Sequence, residues 1–267
     1  MLVLALNIAM FITGYLCWPV SRGHKVTRAL LCLLSAASIV IWLLFPAYFL
    51  HILDRSWYFE WRSRSETDLL AGTVGFAVGC AAAMARLRLL SDETSKYSAV
   101  RSAAIYATLS ISLSVLAFAK PWITPAAQSS WPAIWKDGVC MQRTVSTCGP
   151  CSAATLLREL GYTASERDLS IESQATISGT LNWLLVRALR TRGFTVKYAS
   201  PQNIDEVIPI SIVGVTMPGG AGHFITYLGR DGEHYVIGDP LAGRLRLTSA
   251  ELVRRYRFDG FAISVRR

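Results

Sequence analysis

The chain has 267 residues, 52% of them hydrophobic and 17% charged, with a mean hydropathy of +0.36. That composition excludes a disordered chain and is too apolar for a wholly soluble globule, while the length allows one large domain or two small ones. The net charge of +9 is shared by both halves: residues 1–130 carry 11 Lys+Arg against 6 Asp+Glu, and residues 131–267 carry 16 against 12. Neither half has a long basic run, so no nucleic-acid partner is expected.

Four apolar segments open the chain, at roughly 2–20, 29–52, 69–90 and 102–124. Each is close to the ~20 residues a helix needs to cross a bilayer. The first has no basic residue ahead of it and no clear small-x-small cleavage site, which favours an anchor over a signal peptide. In the third, Gly75 and Gly79 have the spacing that lets two helices approach closely, though glycines tolerated in an alanine-rich helix would read the same. Arg22, Lys25 and Arg28 follow segment one, and Arg86, Arg88, Lys96 and Arg101 follow segment three. Arg55, Arg62 and Arg64 follow segment two, accompanied by Asp54, Glu60, Glu66 and Asp68. The positive-inside rule puts the first and third connections in the cytoplasm by a narrow margin. Trp57, Tyr58 and Trp61 then read as an outer interfacial belt, and whatever follows Trp122 faces outward. His51 reads as interfacial. No Asp, Glu, Lys or Arg lies in the middle of a span, which argues for an anchor or partner-binding bundle rather than a transport path.

Residues 121–136 hold three prolines and three tryptophans and read as a juxtamembrane connector. Beyond it, Cys148–Leu160 and Ser178–Arg192 have helical spacing. Phe194–Tyr198, Ile208–Val215, His223–Leu228, Tyr235–Gly238 and Phe261–Val265 read as strands, with an Asp231-Gly232 hairpin turn, and Thr248–Tyr256 as a short helix. Helices first and strands later give an α+β domain.

Cys17, Cys32 and Cys80 fall in apolar segments and read as packing residues. Cys148 differs, because it opens a helix, where unpaired N–H groups and the dipole favour the nucleophilic thiolate. Gln142, six residues earlier, can donate to an oxyanion formed at the thiol. His223 begins a strand after Pro218-Gly219-Gly220-Ala221-Gly222, and Asp239 lies sixteen residues on, within hairpin reach. His223 would act as base and Asp239 as its orienter. His234 reads as an exposed strand residue, and Arg254, Arg255 and Arg257 as a solvated helix face or a lipid contact. No cysteine–histidine set has zinc spacing, so neither a metal nor a cofactor is expected.

Gln142-x5-Cys148-Gly149-Pro150, then Gly222-His223-Phe224, then Gly238-Asp239-Pro240 resemble cysteine peptidase family 39. These are papain-like bacteriocin-processing peptidases that cleave after a double-glycine leader. The resemblance covers about residues 138–267. It implies Cys148 as nucleophile, Gln142 as oxyanion residue, His223 as base and Asp239 as orienter, acting on a peptide or precursor protein. The resemblance leaves the membrane half unexplained; with the apolar segments, the expected architecture is a multi-pass α-helical membrane region of four spanning helices over 1–125, a linker over 126–137, and an α+β papain-like peptidase domain over 138–267. The expected location is a bacterial inner or plasma membrane, with the peptidase domain extracytoplasmic. Many family members precede an ATP-driven exporter, whereas this chain has no phosphate-binding Gly-x4-Gly-Lys-Ser/Thr loop, so an exporter would be a separate partner. Similar sequences commonly carry a small residue where this one has Cys151. Outside the cytosol Cys140 and Cys151 could form a disulfide. Cys148-Gly149-Pro150-Cys151 also spells a thioredoxin-like redox motif, but the preceding Gln142–Thr147 is a poor β-strand. A thiol–disulfide oxidoreductase and a non-catalytic peptide-binding or assembly module are the alternatives to a peptidase.

Overall fold

The computed structural model describes residues 2–21, 23–47, 53, 55–89, 96–126 and 132–267. His51 lies outside them. The chain divides into two compact units: residues 1–54 with 64–120, and residues 55–63 with 121–267.

The first unit is helical: α1 Leu2–Val20, α2 Lys25–Ala47, a 3-10 stretch Ser65–Thr73 running into α4 Val74–Leu89, and the 28-residue α5, which begins at Lys96 and extends to Ile123. Three of these stretches are long and apolar enough to cross a membrane: Leu2–Val20, Lys25–Phe45 and Ser65–Leu87. The helix α5 forms where a fourth span was expected. It also runs through Pro121 and ends two residues later, so the proline does not stop it at once.

In this unit α1 and α4 touch through backbone. A Cβ on Gly75 would lie 2.3 Å from the Asn7 carbonyl oxygen, and one on Gly79 2.1 Å from that of Phe11. The Gly75–Gly79 spacing therefore works as a contact face. A neutral polar cluster sits beside it. Asn7, fully buried, donates to Ser114 Oγ at 2.7 Å and accepts from Ser110 Oγ at 3.0 Å.

The second unit is α+β. Its sheet has six antiparallel strands in the order β3-β8-β4-β5-β6-β7: β3 Thr195–Ala199, β4 Ser211–Thr216, β5 Gly222–Asp231, β6 His234–Asp239, β7 Gly243–Leu247 and β8 Arg257–Arg266. A small hairpin, β1 Trp135–Lys136 with β2 Val139–Cys140, precedes them, so ordered pairing starts inside the expected linker. The helices are α6 Cys148–Glu159, α7 Glu166–Glu172, α8 Asn182–Thr191 and α9 Ser249–Arg255. Strand alternation splits the core. Ile212 and Ile263 pack with Leu156, Leu185 and Leu189 of α6 and α8. Val213, Ile225 and Ile237 pack with Leu252 and Tyr256 on the other face. The sequence reading missed β7 and α7, both short, and β7 because it alternates arginine with leucine.

The aromatic cluster after the second apolar segment, expected as an interfacial belt, packs largely into protein. It forms α3, Ser56–Arg62, and belongs to the second unit. Tyr58 and Phe59 are buried. The Phe59 ring lies 5.5 Å from Phe261, 5.9 Å from Tyr198 and 6.4 Å from Trp183. Arg190 pairs with Glu60 at 2.9 Å, and Arg187 donates to the Arg62 carbonyl at 2.9 Å. Only Trp57 keeps substantial exposure. Stacking onto a folded aromatic wall buries these rings as well as lipid headgroups would.

Candidate active site

Cys148 is the first residue of α6, a helix so central that every residue from Cys148 to Leu157 is buried. Two hydroxyls register α6 against β5. Ser152 Oγ donates to the Phe224 carbonyl at 3.0 Å, and Thr226 Oγ1 donates to the Ser152 carbonyl at 2.9 Å. That pairing holds the start of α6 beside the start of β5, where His223 sits. Gly238 permits the approach, since a Cβ there would lie 3.1 Å from Thr155 Cγ2 and 3.3 Å from Val139 Cγ2.

Thr226 pairs with Gly238 across β5 and β6, which brings Asp239 to the end of the hairpin nearest His223. His223 Nε2 donates to Asp239 Oδ1 at 2.9 Å. Asp239 is fully buried, and its carboxylate is well supplied with donors. Leu241 N–H also reaches Oδ1 at 2.9 Å, while Tyr256 Oη donates to Oδ2 at 2.5 Å and Arg255 Nη2 at 3.4 Å. Burial alone would raise this carboxyl, but hydrogen bonds from His223, Tyr256 and Leu241 outweigh it and hold it down at about 2. Burial likewise works against a charged His223. Hydrogen bonds to Asp239 and to Cys148 prevail, together with attraction to both, and lift the imidazole to about 9. Tyr256 is pushed up, by burial first and then by Asp239.

Gln142 is tied into the same corner. Its backbone N–H donates to the Pro240 carbonyl at 3.0 Å, next to Asp239. One side-chain N–H donates to the Thr144 carbonyl at 2.7 Å, which leaves a second N–H on the same nitrogen.

The structure thus hydrogen-bonds His223 to Asp239, sets Cys148 near enough to act on the imidazole, and joins Gln142 to Pro240, next to Asp239, through the backbone. Arg255 and Tyr256 were not foreseen as part of it. Arg255 read as one of a solvated trio, but it turns toward Asp239. Tyr256 ends the α9 capping-box helix in extended conformation, with its hydroxyl on the carboxylate. The available signal was an aromatic residue directly after a short, well-capped helix. Cys151 is fully buried, and its thiol is pushed up by burial first, then by Cys140 and Glu166. All six cysteines are free.

An α+β unit that sets a cysteine at a helix start against a strand-borne His–Asp pair is papain-like in layout. Residues 136–267 match the model of the Peptidase C39 family, and the C-terminal half of the chain carries that family's likeness. An uncharacterized protein of Methanothermobacter marburgensis is 28% identical over 101 residues, covering 38% of this chain and 70% of its own length. One from Methanothermobacter thermautotrophicus is 27% identical over 107 residues, covering 40% and 74%. Among solved structures, the peptidase domain of Streptococcus ComA, a bi-functional ABC transporter involved in a quorum sensing pathway, is similar at 22% identity. It covers 49% of this chain and 98% of its own, with a TM-score of 0.42. A double glycine motif protease from an AMS/PCAT transporter, solved with its leader peptide, is 19% identical over 53% of this chain and 95% of its own, with a TM-score of 0.41.

Proposed function

We propose that the protein is a membrane-anchored cysteine peptidase using Cys148, His223 and Asp239, with Gln142 at the oxyanion. The observation that carries this is the buried His223–Asp239 pair, with Cys148 near enough to contribute to raising the imidazole. Nε2 is committed to Asp239, so Nδ1 is the nitrogen left for the sulfur. His223 takes the Cys148 proton as the sulfur attacks the scissile carbonyl carbon. The resulting oxyanion takes the Gln142 amide N–H. The imidazolium then protonates the leaving amine, and the C–N bond breaks to leave an acyl-thioenzyme. Water, deprotonated by His223, attacks the acyl carbon; the C–S bond then breaks, the acid product leaves, and His223 returns the proton to the sulfur to restore the thiol.

The family resemblance makes a peptide with two glycines before the scissile bond the substrate to test. Redox chemistry at Cys148-Gly149-Pro150-Cys151 would need Cys151 as a resolving thiolate. Its complete burial and upward-shifted thiol oppose that role.

Anchoring rests on the three apolar helices, with α5 proposed as the fourth span. The membership of α3 in the catalytic unit supports an even number of crossings between residues 63 and 121, which α4 and α5 would supply. It also supports a second connection on the catalytic side. With the first and third connections cytoplasmic, that side is extracytoplasmic. An exporter or other membrane partner would be a separate chain.

The test is hydrolysis of a Gly-Gly-aminomethylcoumarin peptide by the full chain in detergent. Cys148→Ala and His223→Ala should abolish it, and Cys151→Ala should leave it largely intact. Cleavage surviving Cys148→Ala would refute the peptidase; equal dependence on Cys151 with none on His223 would favour redox chemistry.

A further inference from the structure

Glu166 is the most buried acidic side chain in the second unit apart from Asp239, at 1% exposure. It opens α7 behind the Ser165 N-cap. One carboxylate oxygen, Oε1, accepts from Arg143 N–H at 2.8 Å and from Thr147 Oγ1 at 2.6 Å. Those donors bracket the segment that matters, because Arg143 follows Gln142 and Thr147 precedes Cys148. Between them, the Thr144 carbonyl accepts the Gln142 side-chain N–H at 2.7 Å, and Thr144 Oγ1 lies 2.9 Å from Ser146 Oγ. The carboxylate therefore closes a hydrogen-bonded loop that carries the oxyanion residue at one end and the nucleophile at the other.

The second oxygen, Oε2, is buried without a hydrogen-bond partner. A half-satisfied buried carboxylate is a poor device for stability alone, and an apolar side chain of similar volume would cost less. The fully buried Cys151 thiol is pushed up by burial first, then by Cys140 and Glu166, so it offers no charge to pair with the carboxylate.

We propose that Glu166 is a positioning residue: its Oε1 holds the Gln142–Cys148 loop in the geometry that aims the amide and the thiol at one carbonyl. This rests on the reading of Cys148 as nucleophile. Glu166 touches no reacting atom, so its effect falls on turnover rather than on binding.

The test uses the full-length protein in detergent and the Gly-Gly-aminomethylcoumarin peptide. Glu166→Ala should lower kcat by about 30-fold with KM within about threefold, since misplacement on the order of 1 Å costs roughly a hundredfold. Glu166→Gln keeps an oxygen that can accept both hydrogen bonds and should restore kcat to within about threefold of the parent. Thr147→Val should cost about tenfold and Thr147→Ser little, and this pair decides the matter if Glu166→Ala does not fold. An unchanged kcat in Glu166→Ala or Thr147→Val overturns the proposal, as does a Glu166→Gln enzyme as slow as Glu166→Ala. Hydrolysis that survives Cys148→Ala overturns the peptidase reading and this inference with it. Hydrolysis lost with Cys148→Ala but untouched at Glu166 overturns this inference alone.

Discussion

Each unit of the protein holds a fully buried polar group at the heart of a hydrogen-bond cluster, and the two are built from different chemistry. In the helical unit it is Asn7, a neutral amide satisfied by Ser110 and Ser114. In the α+β unit it is Asp239, an ionised carboxylate with donors from four residues. A helix in lipid gains from a polar contact without a charge, because no water remains to solvate one. A water-bathed domain can bury a charge if it surrounds it with donors. The amide holds helices together, whereas the carboxylate also sets the protonation of its neighbour.

The contrast is broken most severely at Asp239. Asp239→Asn keeps the shape but no longer supports the His223 cation, and kcat in the peptide assay should fall by roughly 10⁴. Next in size is Phe59→Ala, which opens the aromatic wall of Trp183, Tyr198 and Phe261. It should destabilise the second unit by about 3 kcal/mol, read as a lower midpoint in denaturant. Tyr256→Phe removes the 2.5 Å donor from Asp239 and should cost about 2 kcal/mol. Its thermal midpoint should become more acid-sensitive, because the carboxyl moves up from about 2 toward the ordinary range.

The pH dependence has a definite sign. Asp239 is depressed, so its stabilisation is complete above the ordinary carboxyl value and is lost as pH falls through about 2. His223 is raised, so its contribution is complete below the ordinary imidazole value and is lost as pH rises through about 9. Turnover should fall over that same alkaline range, and a plateau extending well beyond it would contradict the ion pair. The smallest effect belongs to the helical unit. Asn7→Val exchanges neutral hydrogen bonds for packing and should lower stability in detergent by about 1 kcal/mol, without a pH signature.

Much of the catalytic unit was legible in the sequence. Cys148 stood at a helix start, and His223 and Asp239 stood on strands joined by a turn, because local pattern fixes such placements. Gly75 and Gly79 were legible as a possible contact face but not as a certain one. Long-range partners were not legible. Tyr256 meets Asp239 from the far side of β7 and α9, and Glu166 reaches the Cys148 loop from another helix; no periodicity encodes either contact. The aromatic run at residues 57–61 misled for a related reason. Rings that suit a headgroup layer equally suit a protein wall, and only the fold distinguishes the two.

The position of α3 bears on how the protein is made. A ribosome delivers Arg55–Ser63 long before Trp183, Tyr198 and Phe261 exist to receive it, and 57 residues of mostly helical chain intervene. The second unit therefore completes itself around a piece made well before the rest of it. A fragment beginning at Pro121 would emerge with that aromatic wall bare, prone to stick to other apolar surfaces, so an early segment of the chain becomes in effect a participant in folding a late one.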